Sequence, residues 1–226
     1  MKSTLYALLR LSKEEYLKRF RNEGLLYMNT LQYFRNLETD LERGDAFEGD
    51  DWIYQPKDTE ITFDDPDVGK YVVVPGELSG PARIALNQTL ACNVYCMFAI
   101  TGPVDGELVD KRNCGLGESF ILVLNTREFL SRVSAAASKV GLAVKYGLVQ
   151  YYDSQEYKGD VGPFRKRNQF SHQKEFRLVL QPSTGIAVQL SVGSLVDITS
   201  EVHPASEVND LCDFSMTRAR EAGLVP

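Results

Sequence analysis

The sequence has few of the residues that most often build metal and redox sites. It contains two histidines, His172 and His203, and four cysteines among 226 residues. Two histidines exclude a His-rich metal centre, and Cys92 and Cys96 have no second pair or nearby histidine to complete four zinc ligands. We therefore predict no metal site and interpret the cysteines as reduced, structural thiols.

Long apolar runs and the common catalytic motifs are also missing. The longest apolar candidate, 91–100, contains Asn93 and is much shorter than the roughly 20 residues of a membrane span. We recognise no signal-peptide cleavage site, no Gly-rich phosphate loop, no G-x-S-x-G elbow and no H-E-x-x-H pair. These absences predict a cytoplasmic protein without a membrane partner, and they leave no common motif that identifies an activity.

Acidic residues outnumber basic ones, but the composition is that of a globular protein. The chain has 31 Asp and Glu against 25 Lys and Arg, a formal net charge of -6, and 43% hydrophobic residues. A chain of this length is expected to form one domain. The acidic balance argues against a surface that binds nucleic acid throughout, so any such contact must be local.

Hydrophobic patterning predicts a single α+β domain over residues 1–226. The order at the N-terminus is strand, helix, strand, helix, with an apolar first strand at 5–11. The stretch 38–80 is acidic and rich in turn-forming residues, which predicts an irregular insertion over the surface. Strands dominate after residue 90, and no internal repeat interrupts the pattern.

The most informative segment lies between residues 151 and 180. Gln173 and Glu175 stand at the start of an apolar strand, and side chains spaced i and i+2 in extended backbone project to the same side. We therefore predict that an amide and a carboxylate share one site. The preceding polar loop, about 151–172, places three basic residues between two aromatic ones, in the order Phe164, Arg165, Lys166, Arg167 and Phe170.

This Q-x-E pattern resembles the signature of ADP-ribosyltransferases of the Arg, Ser/Thr, Glu class, which includes many bacterial toxins. In that class the first strand supplies an Arg, the second a small polar triplet, and a later strand the Q-x-E or E-x-E motif. Arg10 lies on the first predicted strand, and Met28, Asn29 and Thr30 stand where the triplet would be. The family usually has Ser-Thr-Ser there, so either Asn29 or Thr30 is the candidate support for Glu175.

The resemblance implies a split mixed or antiparallel sheet flanked by helices, and an enzyme that cleaves NAD and transfers ADP-ribose. Glu175 would stabilise the positive charge that develops on the ribose as nicotinamide leaves, and Gln173 would face the acceptor. No metal or flavin is required. The resemblance also implies which residues would bind NAD. Arg10 would hold the pyrophosphate, Asn29 or Thr30 would support the carboxylate of Glu175, and Tyr33 or Phe34 would lie beside the nicotinamide.

The acceptor is predicted to be single-stranded nucleic acid, RNA in preference to DNA. Gln173 has no charge with which to activate a guanidinium, and within the family Q-x-E goes with targets other than arginine. Cations that bind phosphates and rings that stack on bases suit a single strand. A toxin or phage-defence effector with an antitoxin partner would fit this activity. The acceptor candidates are Phe164, Arg165, Lys166, Arg167, Phe170 and His172.

The same residues also have structural interpretations. Glu175 could form an ion pair at a strand end, Arg10 could extend along apolar surface to reach water, and Asn29 and Thr30 are both good helix caps. The basic run could be a solvated loop. Only the joint occurrence of these residues in this order favours an enzyme.

Two other functions remain as alternatives. One is a metal-free ribonuclease in which His172 is the acid-base group beside the basic run. The other is a non-catalytic protein-interaction module whose contact surface is the acidic stretch 40–67. Neither alternative needs NAD.

Overall fold

A computed structural model describes residues 5–37, 44–101 and 108–211. In chain order the strands are β1 (Leu5–Ser12), β2 (Leu25–Thr30), β3 (Trp52–Tyr54), β4 (Ile61–Asp65), β5 (Gly69–Val73), β6 (Ala82–Ile84), β7 (Asn93–Thr101), β8 (Ser119–Val123), β9 (Ala143–Leu148), β10 (Gln150–Tyr152), β11 (Gly159–Asp160), β12 (Arg165–Arg167), β13 (Glu175–Gln181), β14 (Val188–Ser191) and β15 (His203–Pro204). The helices are α1 (Glu14–Glu23), α2 (Leu31–Arg35), α3 (Asn87–Leu90) and α4 (Thr126–Lys139), with 3-10 turns at Pro56–Asp58, Lys111–Leu116, Gly162–Phe164, Asn168–Gln173 and Ala205–Glu207.

The main sheet is built around β7 and is split along one of its edges. Phe98 pairs with β13 on one side and β1 on the other, while Val94 pairs with β13 and β2. Strands β1 and β2 therefore share the same edge of β7 but pair with its opposite ends. Between them, residues 95–97 of β7 have no strand partner on that edge among the described residues. The split creates a gap in the sheet.

The apolar core lies between this sheet and the helices α1 and α4. Leu17 and Phe20, three positions apart on α1, are both buried, as the helical period requires. Gly24 ends α1 with a left-handed φ of 63°, and a Cβ there would lie 1.9 Å from the carbonyl oxygen of Gly193. Only glycine fits this position, so the turn from α1 into β2 is fixed by the sequence.

The predicted surface insertion is only partly on the surface. The β4–β5 hairpin is exposed, with Phe63 stacked on Tyr71. By contrast, Asp45, Glu48 and Asp50 are buried, which contradicts the prediction for this part of the stretch. They are buried because each carboxylate forms an ion pair with a cation from another part of the fold. The pairs are Asp45 with Arg167, Glu48 with Arg177, and Asp50 with Arg35.

The predicted α+β class is confirmed. The main sheet has antiparallel pairing between its strands, while β10 and β12 form a small parallel pair. In the described ranges, no helix combines the length and apolar character that crossing a membrane requires.

Candidate functional site

The gap between β1 and β2 opens into a cavity of about 550 Å³. Residues Tyr95 to Met97 of β7, which pair with β13 on one edge and have no described strand partner on the other, line the cavity. Arg10 from β1, Asn29 from β2 and Glu175 from β13 all line it. The split in the sheet therefore brings together residues from opposite ends of the chain.

Arg10 lies where β1 leaves the edge of β7. Leu9 is the last residue of β1 to pair with β7, and the Nη1 of Arg10 then donates a hydrogen bond of 2.6 Å to the carbonyl oxygen of Cys96. The guanidinium also lies 4.6 Å from the centroid of the Tyr95 ring. Arg10 forms no ion pair with any residue in the described part of the chain. A half-buried guanidinium without a counter-ion is suited to bind an anion.

The Met-Asn-Thr triplet of β2 is divided among core, cavity and helix cap, because successive strand residues alternate in direction. Met28 is buried in the core, and Asn29 faces the cavity. The Oγ1 of Thr30 accepts a 3.2 Å hydrogen bond from the backbone N–H of Tyr33, so the interpretation of Thr30 as a helix cap is confirmed. Neither Asn29 nor Thr30 hydrogen-bonds to Glu175 among the described contacts.

Aromatic rings border the cavity. Tyr33 and Phe34 line it and meet edge to face, with their centroids 5.3 Å apart. Tyr16 on α1 and Tyr27 on β2 also line it, and each is 53% exposed. These two tyrosines were not predicted as site residues from the sequence. For Tyr27 the sequence did contain a signal. It stands between Leu26 and Met28, and because successive strand residues point to opposite faces, Tyr27 lies on the face opposite these two apolar residues.

Gln173 and Glu175 reach the same place, but not in the predicted way. Gln173 ends a 3-10 turn, Lys174 has a left-handed φ of 38°, and the strand begins only at Glu175. The predicted extended i and i+2 geometry is therefore wrong. Both side chains converge on Lys166, whose Nζ donates to the Oε1 of Gln173 at 2.9 Å and to the Oε1 of Glu175 at 2.7 Å.

Glu175 belongs to a buried cluster of four charges. Its Oε2 accepts a 2.7 Å hydrogen bond from the Nε of Arg177, and Arg177 also donates to both oxygens of Glu48 at 2.7 and 3.0 Å. The Nζ of Lys166 lies 3.8 Å from the Oε2 of Glu48. These four residues are 1% to 7% exposed. We call Glu48, Lys166, Glu175 and Arg177 the charge cluster.

The charge cluster keeps Glu175 ionised. Burial alone would raise the pKa of Glu175, but the charges of Arg177 and Lys166 outweigh this effect and hold the pKa well below its usual range. For Lys166, burial acts to lower the pKa, but the carboxylates of Glu175 and Glu48 more than offset it and raise the pKa. The site therefore presents a fixed carboxylate at the cavity.

The roles of Glu48 and Arg177 were not predicted from the sequence. Glu48 lies in an acidic, turn-rich stretch, whose composition is typical of a solvated surface. Arg177 gave a usable signal, because it is the charged residue in the apolar run FRLVL. A charge at that position of a buried strand requires a counter-charge.

The predicted acceptor loop is less accessible than expected. Strand β12 pairs with β10 and turns Lys166 inward, so the prediction of three solvent-facing cations is wrong. Arg167 forms an ion pair of 2.7 Å with Asp45, and Phe170 is buried with its centroid 4.5 Å from the Nζ of Lys166. Arg165 is half-buried and donates to a backbone carbonyl oxygen at 2.6 Å.

The other two acceptor candidates are held in the surrounding structure. Phe164 packs against a small apolar cluster that includes Leu31 and Val179. His172 lies in a 3-10 turn, where its Nδ1 is 3.2 Å from the carbonyl oxygen of Gln169. Neither residue lines the cavity.

The cysteines near the site are structural in character. Cys92 is buried, as predicted, whereas Cys96 is half-buried and lines the cavity. Burial raises the pKa of the Cys96 thiol to about 12, with the nearby carboxylate of Glu175 acting in the same direction. A thiol with this pKa is protonated near neutral pH and is not a nucleophile. Among the residues that the structure describes, no group of three or more His, Cys, Asp and Glu side chains could hold a metal ion.

Comparison with known proteins gives no further indication of function, because no protein-family model, curated protein or solved structure matches the chain.

Proposed function

We propose that the protein is a mono-ADP-ribosyltransferase that cleaves NAD and transfers ADP-ribose to an acceptor. The observation that carries this proposal is the convergence of Arg10, Asn29 and Glu175 on one cavity at the split in the sheet. A split sheet is also the core that the resemblance implies. The cavity volume of about 550 Å³ is within the usual range for small-molecule and cofactor sites.

Arg10 is the residue that would hold the pyrophosphate. Its guanidinium uses one Nη1 hydrogen on a backbone carbonyl and has no carboxylate partner among the described residues. The side chain of Tyr95 is a further hydrogen-bonding partner of this guanidinium, and the donors that remain lie in its plane and can bind phosphate oxygens.

Glu175 would act on the ribose. In the reaction, the bond between the ribose carbon and the nicotinamide nitrogen breaks, and its electron pair leaves with nicotinamide. The ribose becomes positively charged in the transition state, and an acceptor atom then supplies the new electron pair and loses a proton. A carboxylate fixed in place before reaction stabilises that charge without reorganising. Each oxygen of Glu175 accepts one hydrogen bond within the protein, so each has a second lone pair for a ribose hydroxyl.

The aromatic residues would bind the planar ends of NAD. Tyr33 and Phe34 are placed to pack against the nicotinamide, as the resemblance implies. Tyr16 and Tyr27 expose ring surface at the same cavity, where a base could stack. Asn29 faces the cavity with an amide that both donates and accepts hydrogen bonds.

The nucleic-acid acceptor stays a prediction from the sequence, as do the toxin or phage-defence role and the antitoxin partner. Lys166 and Phe170 are buried, so they do not offer the cation and stacking surface that the prediction assigned to them. The ribonuclease alternative gains no observation in its favour, because His172 does not line the cavity.

The test is nicotinamide release from NAD by the purified protein. We expect Glu175→Gln to abolish turnover, because it removes the negative charge at nearly constant shape. Circular dichroism confirms that the variant is folded under the assay conditions, since neutralising Glu175 also destabilises the buried ion pairs with Lys166 and Arg177. Arg10→Lys should weaken NAD binding in calorimetry, since an ammonium does not reproduce a forked contact. Glu156→Gln, which alters an exposed carboxylate in an exposed ion pair, is the control. Wild-type turnover in Glu175→Gln would refute the assignment.

Labelled NAD then identifies the acceptor class. The protein is incubated with RNA, DNA or a cell lysate, and the products are treated separately with nuclease and with protease. Label that only nuclease removes supports the nucleic-acid prediction. Label that only protease removes refutes it and leaves the transferase proposal intact. Cleavage of RNA without NAD, lost in His172→Ala, would support the ribonuclease instead.

A further inference from the structure

We propose that Lys166 and Arg177, with Glu48 as their counter-ion, are positioning residues for Glu175. The acidic turn at 44–50 is then part of the active site. This inference rests on the proposed function of Glu175, and it names the residues that prepare this carboxylate for the reaction.

The geometry fixes the carboxylate from both of its oxygens. Lys166 holds Oε1 and Arg177 holds Oε2, each at 2.7 Å. Because the two donors come from different strands, rotation of the carboxylate would break at least one of these bonds. Glu48 in turn holds Arg177 through two parallel hydrogen bonds, the arrangement that most restricts a guanidinium.

The balance of charge and the location of the charge cluster favour a functional role. Two carboxylates and two cations give no net charge, so the cluster avoids an unpaired buried charge. Stability does not require it, because well-packed apolar residues often serve equally well in place of a buried ion pair. All four residues of the cluster also line the cavity.

The charge cluster also supplies the support that the resemblance assigned to the triplet. Thr30 is used as a helix cap, and Asn29 makes no side-chain hydrogen bond to Glu175 among the described contacts. The observed support comes instead from Lys166 and Arg177, which are beside Glu175 in the fold.

Other titratable groups near Glu175 do not change charge in the neutral range. Cys96 on β7 and Tyr151 on β10 face it, and burial raises the pKa of both. The hydroxyl oxygen of Tyr151 accepts a 2.9 Å hydrogen bond from the backbone N–H of Glu175. A change in the titration of Glu175 therefore reports on the charge cluster itself.

The decisive variant is Lys166→Met, which removes the ammonium and keeps a similar side-chain length. In this variant the charge cluster has a net negative charge, so the pKa of Glu175 should be higher than in the wild type. A carbon-13 NMR titration of labelled glutamate carboxyls measures this pKa. We expect kcat for nicotinamide release to fall by roughly 10- to 100-fold with little change in KM, because the carboxylate is misplaced. The acidic limb of the kcat–pH profile should move to higher pH. Lys166→Arg keeps the charge and should recover part of kcat.

One control and one further cluster variant make the result specific. Lys57→Met removes a lysine from an exposed ion pair and should leave kcat, the pH profile and the Glu175 titration unchanged. Glu48→Gln is the second cluster variant and replaces Lys166→Met if that protein does not fold. It should lower kcat without a matching change in KM, because Arg177 loses its bidentate anchor.

The outcomes separate this inference from the proposed function. If folded Lys166→Met keeps the wild-type kcat, the positioning role is wrong even if the pKa of Glu175 moves. An unchanged pKa of Glu175 in that variant would also overturn it. If the wild-type protein releases no nicotinamide, the proposed function is wrong, and the NMR titration alone decides whether Lys166 controls the state of Glu175.

Discussion

The charge cluster predicts a large stability loss when one member is neutralised. Glu48→Gln removes one of the two negative charges of the charge cluster and leaves Arg177, Lys166 and Glu175 with a net positive charge. Removing one partner of a buried ion pair costs about 3 to 5 kcal/mol. The carboxamide oxygen of the variant still accepts one hydrogen bond from Arg177, so we expect a loss of about 3 kcal/mol, at the low end of that range.

This loss is measurable by urea and thermal unfolding followed by circular dichroism. In a chain of this size, each kcal/mol lowers the Tm by about 2 to 4 °C, so the Tm should fall by about 6 to 12 °C. The matched control is Glu156→Gln, because Glu156 pairs with Lys57 at the surface and the two side chains are 70% and 62% exposed. Exposed pairs contribute about 0 to 1 kcal/mol, so this variant should unfold almost like the wild type.

The comparison has a clear refuting result. If Glu48→Gln loses less than about 1 kcal/mol, the charges of the cluster are not held in a dry interior, since exposed pairs fall in that range. Glu48 would then not be the anchor of Arg177. Equal losses in the free energy of unfolding for Glu48→Gln and Glu156→Gln would likewise show that the charge cluster is not held in a dry interior.

Two further predictions concern ligand binding and pH. Tyr27→Ala should weaken NAD binding by about 1 to 3 kcal/mol in calorimetry, because a base would lose its stacking partner. The control is Tyr146→Ala, which removes a similarly exposed tyrosine that does not line the cavity and should not change NAD binding. Equal effects of the two substitutions would exclude stacking at Tyr27. The folded-state pKa of Glu175 is depressed, so its stabilising contribution is present above the unfolded pKa of about 4.3 and is lost as pH falls below it. Urea unfolding between about pH 5 and 2 should therefore show a steeper loss of stability in the wild type than in Glu175→Gln. Parallel slopes would contradict the assigned titration.

The N-terminal third shows what local signals can predict. The apolar run of β1, the left-handed glycine Gly24 and the capping threonine Thr30 each act over a few residues. Helix periodicity and caps depend on neighbours three or four positions away, so they can be read from the sequence. The order strand, helix, strand, helix follows from these signals.

The acidic stretch shows why composition alone was misleading. Asp45, Glu48 and Asp50 have the composition of a solvated turn, and the sequence contains no local mark of their burial. Each is buried only because a cation from a distant strand or helix reaches it. Burial of a charge depends on its partner, and these partners, which lie 122, 129 and 15 residues away along the chain, are fixed only when the fold forms.

The sequence by itself determined the α+β class, the first four elements and six of the residues that line the cavity, namely Arg10, Asn29, Tyr33, Phe34, Gln173 and Glu175. Tertiary structure alone decided that the sheet splits between β1 and β2, that Lys166 points inward, and that Glu48 reaches Arg177. The physical reason is the range of the interactions. Hydrophobic period and capping act along a few residues of chain, whereas strand pairing and buried ion pairs join segments that the sequence separates widely.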